Sequence, residues 1–252
     1  MSLGREIYHH HDEFGPLIVF DDGNKRYLAF GAGDEQSCSL KSNPFLLQHD
    51  YSQAMLLVLL FIQPRRLTLL GLGGGCLVTT LHQYLPDINI TAVELRPHVV
   101  KIAQRFFQLP RSSRLSIVVD DASEFLETHE GEKVDVLFGD IYDAEGLDLQ
   151  QTQPWFIEAC YQQLEDDGWL VLNCWRHHRG EQEMMDTLTR LFADVRTCST
   201  IEGNWVVLAG KKANTISVGQ LKNDAKKWSK VLGYSLLPSL GRLQQWRAVP
   251  VD

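Results

Sequence analysis

A chain of 252 residues with 44% apolar and 22% charged side chains is long enough to bury a sizeable core in one main domain with a small appendage. Its formal charge of −8, without clustered Lys and Arg, argues against nucleic-acid binding and for a cationic or neutral small ligand. Five scattered cysteines with no C-x-x-C pair predict free thiols in a reducing cytoplasm, neither disulfides nor a metal site.

In chain order, the charged start MSLGREIYHHHDEF has no apolar stretch of the targeting kind. The HHHDE run at 9–13 has no second ligand cluster to join, so it is read as a flexible surface segment. Over 15–31, two strand-like runs flank Asp22, Gly23 and Asn24, which is hairpin chemistry, and residues 1–50 are expected to form a small antiparallel β-hairpin region. The run LQHDYSQAMLLVLLFIQP predicts a helix ending near Pro64. Its apolar part, 54–62, is far short of the roughly twenty residues that span a bilayer, so it is read as a buried helix and no membrane partner is expected.

From Leu67 to about Gly210, short β-rich runs alternate with helical ones. That order predicts an α/β domain over 51–215: a Rossmann-like, doubly wound, mostly parallel sheet with ligands at the carboxyl ends of its strands. Pro97 is expected to open the second helix and Gly168 to close the fourth. The remainder, 216–252, is expected to be a tail that packs on the core, helical before Pro238 and irregular after it.

Three features in this frame carry chemistry. Gly71, Gly73 and Gly75 form a G-x-G-x-G turn, where Cys76 breaks the dinucleotide pattern. Glu94 ends the next strand, placed to accept both hydroxyls of a ribose. Asp120 or Asp121 ends the third strand, able to accept from an adenine amino group or simply to cap the following helix. Together they indicate adenosine without a diphosphate, hence S-adenosylmethionine or a relative. In FGDIYDAEGLD, Asp140, Asp143, Glu145 and Asp148 crowd beside Tyr142 after the fourth strand. Like charges so close favour an incoming cation, for which a polyamine is the natural candidate. A carboxylate there could orient an amine nucleophile and take its proton.

These pieces, LLGLGGG, AVEL with PHVVKIAQRFF, RLSIVVDDASEFL and VDVLFGDIYD, together resemble the spermidine synthase (polyamine aminopropyltransferase) family over about 17–175. The resemblance implies a small N-terminal β domain followed by a class I methyltransferase-like domain, with decarboxylated S-adenosylmethionine as co-substrate and no metal. It implies that Asp140 and Asp143 match the two aspartates of a D-x-x-D-P signature, the first acting on the attacking amine. It sets Tyr51 and Gln53 at the polyamine site, Glu94 on the ribose, Asp121 and Ala122 on adenine, and Gln36 near the thioether nucleoside. Tyr142 and Glu145 are expected to contact the amine, and a homodimer is implied.

The departures are Cys76, Gln53 and Ala144, which stand where the family has an aspartate, a glutamate and a proline. Loss of an acid at Cys76 would tolerate the carboxylate of intact S-adenosylmethionine, so methyl transfer stays open, as does a polyamine or nucleoside binder without catalysis. Cys76 itself is expected to pack rather than react. The segment 173–180 is expected to be a surface loop, with Trp175 or His177 the residues able to reach the pocket.

Overall fold

The computed structural model describes residues 4–31, 34–143 and 146–246, with the backbone alone for Asp34 and Asp143. Four antiparallel strands come first: β1 Arg5–Asp12, β2 Gly15–Asp22, β3 Lys25–Gly31 and β4 Asp34–Leu40, hydrogen-bonded in that order. The expected hairpin is β2–β3, with Asp22 opposite Lys25 and Gly23 at φ 56° in the turn. It is widened on both sides. The histidine run, expected to be flexible, lies in β1, where His9, His10 and His11 face Ile18, Leu17 and Pro16. Pairing with β2 orders this segment, and the His10 ring stacks on His98 at 3.7 Å.

The apolar segment that follows forms α1 Asp50–Met55 and then a 3-10 turn, Leu56–Leu60, that stops before Pro64. Leu56, Leu57 and Val58 are wholly buried. Then comes the expected alternation: β5 Arg66–Leu70, α2 Cys76–Tyr84, β6 Asn89–Glu94, α3 Pro97–Phe106, β7 Leu115–Val119, α4 Ala122–Thr128 and β8 Val134–Gly139. A two-residue ladder, β9 Tyr142–Asp143 with β10 Gly146–Leu147, precedes α5 Pro154–Gln163 and β11 Leu164–Trp175. Beyond these lie α6 Gln182–Leu191, β12 Asp194–Ser199, β13 Asn204–Gly210, α7 Val218–Leu232, α8 Leu237–Arg242 and β14 Leu243–Gln245.

The main sheet has the order β14-β12-β13-β11-β8-β5-β6-β7. Strands β11, β8, β5, β6 and β7 run parallel, whereas β13, β12 and β14 are added antiparallel. The chain runs outward from β5 through β6 to β7 and returns to place β8 on the other side of β5. The gap above β5 and β8 is therefore the switch point of a doubly wound sheet, where such folds bind ligands. The N-terminal sheet closes one side of it: Leu17, Val19, Leu28 and Phe30 pack on Val99, Ile102 and Phe107. Arg26 ties the same contact by donating to the carbonyl of Phe106 at 2.9 Å.

Two expectations about boundaries fail for local reasons. Gly168 does not cap α5, which ends at Gln163; it lies inside β11, where the register with β8 jumps from Leu164 opposite Val134 to Trp169 opposite Val136. The extra residues loop out, and a Cβ at Gly168 would sit 3.1 Å from the backbone of Glu165. Pro238 does not end a helix but opens α8, because the N–H it lacks has no intrahelical partner in a first turn. The chain after it then adds β14, with Leu243 opposite Cys198.

At the glycine turn, backbone packs directly on backbone. Gly71 has φ 89°, and a Cβ there would lie 2.2 Å from the carbonyl oxygen of Asp140; at Gly75, φ 73°, it would meet the flexible Leu109 side chain at 2.6 Å. Side chains can shift where backbone cannot, so Gly71→Ala is expected to lower the thermal midpoint more than Gly75→Ala. Thermal denaturation of the two variants checks that order.

Candidate active site

The carboxyl ends of β5, β6, β7 and β8 open into a cavity of about 450 Å³, a size suited to a small-molecule ligand. Its floor is the turn after β5. There the amide of Gly71 donates to Val93 O at 2.9 Å, and the positive φ angles of Gly71 and Gly73 bring bare backbone to the cavity wall.

Glu94, at the end of β6, holds this turn in place. One carboxylate oxygen accepts from Leu72 N at 3.0 Å and Gly73 N at 3.4 Å, the other from Arg96 N at 2.9 Å. Burial raises its proton affinity and the backbone donors oppose that effect. Beside it, Gly74 N donates to Ser37 Oγ at 2.8 Å, so β4 of the N-terminal sheet is stitched to the turn and Gln36 joins the wall. At the end of β7, Asp121 caps α4, accepting from Ser123 N at 2.7 Å and Glu124 N at 3.4 Å. The capping role considered for this residue is thus real, and Asp121 lines the cavity as well, with Asp120 and Ala122.

Asp140 follows β8, its amide donating to Leu70 O at 2.9 Å. Its Oδ1 accepts from Asn173 Nδ2 at 2.8 Å, and Tyr51 lines the same cavity. Burial pushes the Asp140 carboxyl up to about 6, against the opposing pull of Asn173 and Tyr51. Tyr51 goes the same way: burial, and then the charge of Asp140, keep its hydroxyl protonated. Tyr142 donates to the carbonyl of Asn173 at 3.3 Å and meets the Trp175 ring edge-on, centroids 6.1 Å apart. Trp175 therefore lines the cavity, in a segment expected to be a surface loop; a 3-10 turn, Arg176–Gly180, follows it.

Most of the site residues read from sequence thus meet in one place: Gly71, Gly73, Gln36, Glu94, Asp121, Ala122, Asp140, Tyr51 and Tyr142 all line the cavity. Gly75 stands just behind, as the residue that starts α2. Gln53 does not join them. Two residues beyond Tyr51 a helix has turned by about 200°, and its amide donates instead to Leu47 O at 2.8 Å. Glu145 and Ala144 lie outside the described residues, as does the side chain of Asp143. Cys76 lines the cavity from the first turn of α2 with its thiol 3.6 Å from Cys38 O. Burial pushes that thiol up to about 12, so it is neutral, in keeping with packing.

Sequence reasoning missed several wall residues. Glu35, His49, Glu202 and Asn204 come from β4, the residue before α1, the β12–β13 connection and the start of β13. Asn173 left a trace, a lone amide in the apolar strand WLVLNCW; the others sit in segments with no signal of their own. They deepen the charge asymmetry. Carboxylates of Glu35, Asp120, Asp140, Asp148 and Glu202 border the cavity, whereas Arg96, which also lines it, is paired with Asp12 at 2.7 Å and with Gly15 O at 2.8 Å.

The chain matches the family model of the spermine/spermidine synthase domain over residues 48–214. It is 31% identical over 226 residues to the polyamine aminopropyltransferase of Neisseria meningitidis serogroup A, covering 87% of this chain and 86% of that protein. Its fold is shared by a probable spermidine synthase from Corynebacterium glutamicum, with a TM-score of 0.75 at 18% identity over 100% of this chain and 99% of that one. It is shared too by human methyltransferase-like protein 13 in complex with SAH, with a TM-score of 0.66 at 18% identity over 81% and 98%. By the family model and by the extent of the Neisseria similarity, the chain belongs to the spermine/spermidine synthase family.

Proposed function

We propose that this chain transfers an aminopropyl group from decarboxylated S-adenosylmethionine to a polyamine-type amine. The observation that carries the reading is Asp140: a half-buried carboxylate that accepts from Asn173 at the end of β8, inside an acid-bordered cavity. Family membership and the name of the Neisseria relative support it. In this reading the ribose hydroxyls lie on Glu94, the adenine lies beside Asp121 and Ala122, and the glycine turn admits the sulfonium end with Gln36 across from it. Asp143 and Glu145 belong to the acceptor side with Tyr142. The working compartment is the cytoplasm and the assembly a homodimer.

The chemistry needs little beyond placement and charge. An amine nitrogen must be neutral to attack the carbon next to the sulfonium. As the new C–N bond forms and the C–S bond breaks, the sulfur leaves as a neutral thioether nucleoside and the nitrogen becomes positive. Asp140, ionised, orients the amine and takes its proton. Asn173 donates to Oδ1 of Asp140, which leaves acceptor capacity for the amine. A second reading is favoured by one observation: Cys76 is a neutral thiol where the resemblance sets an acid, which fits intact S-adenosylmethionine and methyl transfer.

Incubation with decarboxylated S-adenosylmethionine and putrescine is expected to release a thioether nucleoside and spermidine. Asp140→Asn should lower kcat/KM by at least about 100-fold while nucleoside binding persists. Products seen only with intact S-adenosylmethionine would favour methyl transfer.

The raised affinity of Asp140 for its proton has two further consequences. Because the base must be ionised, kcat/KM should fall as pH drops through about 6. Stability has the opposite sign. A carboxyl at about 6 in the folded chain and 3.8 when unfolded binds more protons in the folded state across that window, so its contribution to stability falls as pH rises through it. Asp140→Asn removes this penalty. The thermal midpoint of the variant minus that of the parent should be more positive at pH 8 than at pH 4, as paired denaturation scans will show.

A further inference from the structure

Asp140 is the end of a row of buried amides. Asn173 in β11 is 1% exposed, and Asn204, which opens β13, is 8% exposed. Asn204 Nδ2 donates to Asn173 Oδ1 at 3.0 Å, and Asn173 Nδ2 donates to Asp140 Oδ1 at 2.8 Å. Each link is fixed from behind. The backbone carbonyl of Asn173 accepts from Gln151 Nε2 at 2.7 Å and from the Tyr142 hydroxyl, within a strand paired on both sides. The backbone of Asn204 is clamped by Thr200, whose Oγ1 accepts from Asn204 N at 2.9 Å and whose own N–H donates to Asn204 O at 2.9 Å.

The direction of this row follows from the chemistry at its end. A carboxylate only accepts, so the Asn173 amide must turn its NH2 toward Asp140 and its oxygen away. That oxygen, buried, needs a donor, and Asn204 is there to supply one. Without Asn204 the Asn173 amide could turn over and offer its carbonyl to Asp140. A carbonyl suits a protonated acid and repels the ionised base. Burial already favours the protonated form, so the amide row acts against it at the one group that must give its proton up.

We propose that Asn173 and Asn204 are positioning residues that hold Asp140 as a hydrogen-bond acceptor toward the cavity, Asn204 reaching Asp140 through Asn173. The inference rests on the reading of Asp140 as the base of the transfer reaction, and its test does not depend on turnover. The titration of Asp140 is followed by carboxyl carbon NMR of the aspartate-labelled full chain, with the Asp140 signal identified by its loss in Asp140→Asn. It is measured in the parent, Asn173→Ala, Asn204→Ala and the double variant.

Loss of one charge-assisted donor is expected to raise the Asp140 midpoint by about one pH unit in Asn173→Ala. A smaller rise is expected in Asn204→Ala, and the double variant should match Asn173→Ala. In an active enzyme the acid limb of kcat/KM moves by the same amounts. An unmoved midpoint in Asn204→Ala beside a lowered thermal midpoint would reduce the row to packing and overturn the proposal, and so would strictly additive shifts in the double variant. If Asn173→Ala does not fold, Asn204→Ala and Asn204→Ser carry the test, both expected to raise the midpoint. Shifted midpoints in a chain that transfers no aminopropyl group would overturn the reaction and leave the positioning role standing.

Discussion

Where the chain passes from β5 into its glycine turn, the backbone of Gly71 lies against the carbonyl of Asp140, too close for any side chain to stand between them. Strand pairing sets this approach: Leu70 is opposite Gly139, and Asp140 N continues the ladder to Leu70 O. Everything the cavity does depends on that contact. It puts the turn that would receive the nucleoside and the carboxylate that would receive a proton on adjoining strands, with no intervening layer. Glu94, one strand further, ties its carboxylate to the same turn, so the glycine turn, Glu94 and Asp140 share one corner of the sheet.

The corner is completed from a distance. The N-terminal sheet brings Ser37 onto the turn and contributes Glu35 and Gln36 to the wall, while β11 and the antiparallel β13 supply the amides behind Asp140. The antiparallel strands thus do more than extend the sheet. Antiparallel β13 carries the Asn204 amide that backs Asn173 of β11, the donor to the half-buried Asp140 carboxylate. In the proposed reading the arrangement accepts a local penalty in stability for a base that ionises at about pH 6, a trade seen where function requires a charge out of water. The large apolar bodies on both faces of the sheet, from Leu56 and Leu57 on one side to Phe156 and Leu170 on the other, carry the stability that makes it tolerable.

Much of this corner was legible in the sequence because it is local. A glycine turn, an acid ending the next strand and an acid ending the fourth are short motifs whose spacing follows from strand and helix lengths, and the structure brings Gly71, Glu94 and Asp140 together accordingly. What was not legible depends on pairing across the chain. The histidines of β1 have no strand pattern of their own and are ordered by β2. Gly168 is needed inside a looped-out strand, a demand created by β8, and Pro238 starts a helix that only the docked tail reveals. Gln53 was aligned with a substrate ligand by its neighbour Tyr51, yet helical rotation takes it to Leu47. Asn204 meets Asn173 because β13 pairs with β11 from further along the chain.

The central claim is that the cavity is charged for a cation at both ends of the reaction. The missing acid at Cys76, on the cavity wall, argues otherwise, as does Gln53 in place of a glutamate, whereas Glu35, Asp140 and Glu202 border the same space. Titration calorimetry of the full chain with decarboxylated S-adenosylmethionine and with intact S-adenosylmethionine, at one pH and salt concentration, weighs the two directly. The account predicts that the decarboxylated form binds at least about tenfold more tightly, a difference of about 1.4 kcal/mol. Equal affinities, or tighter binding of intact S-adenosylmethionine, would contradict it.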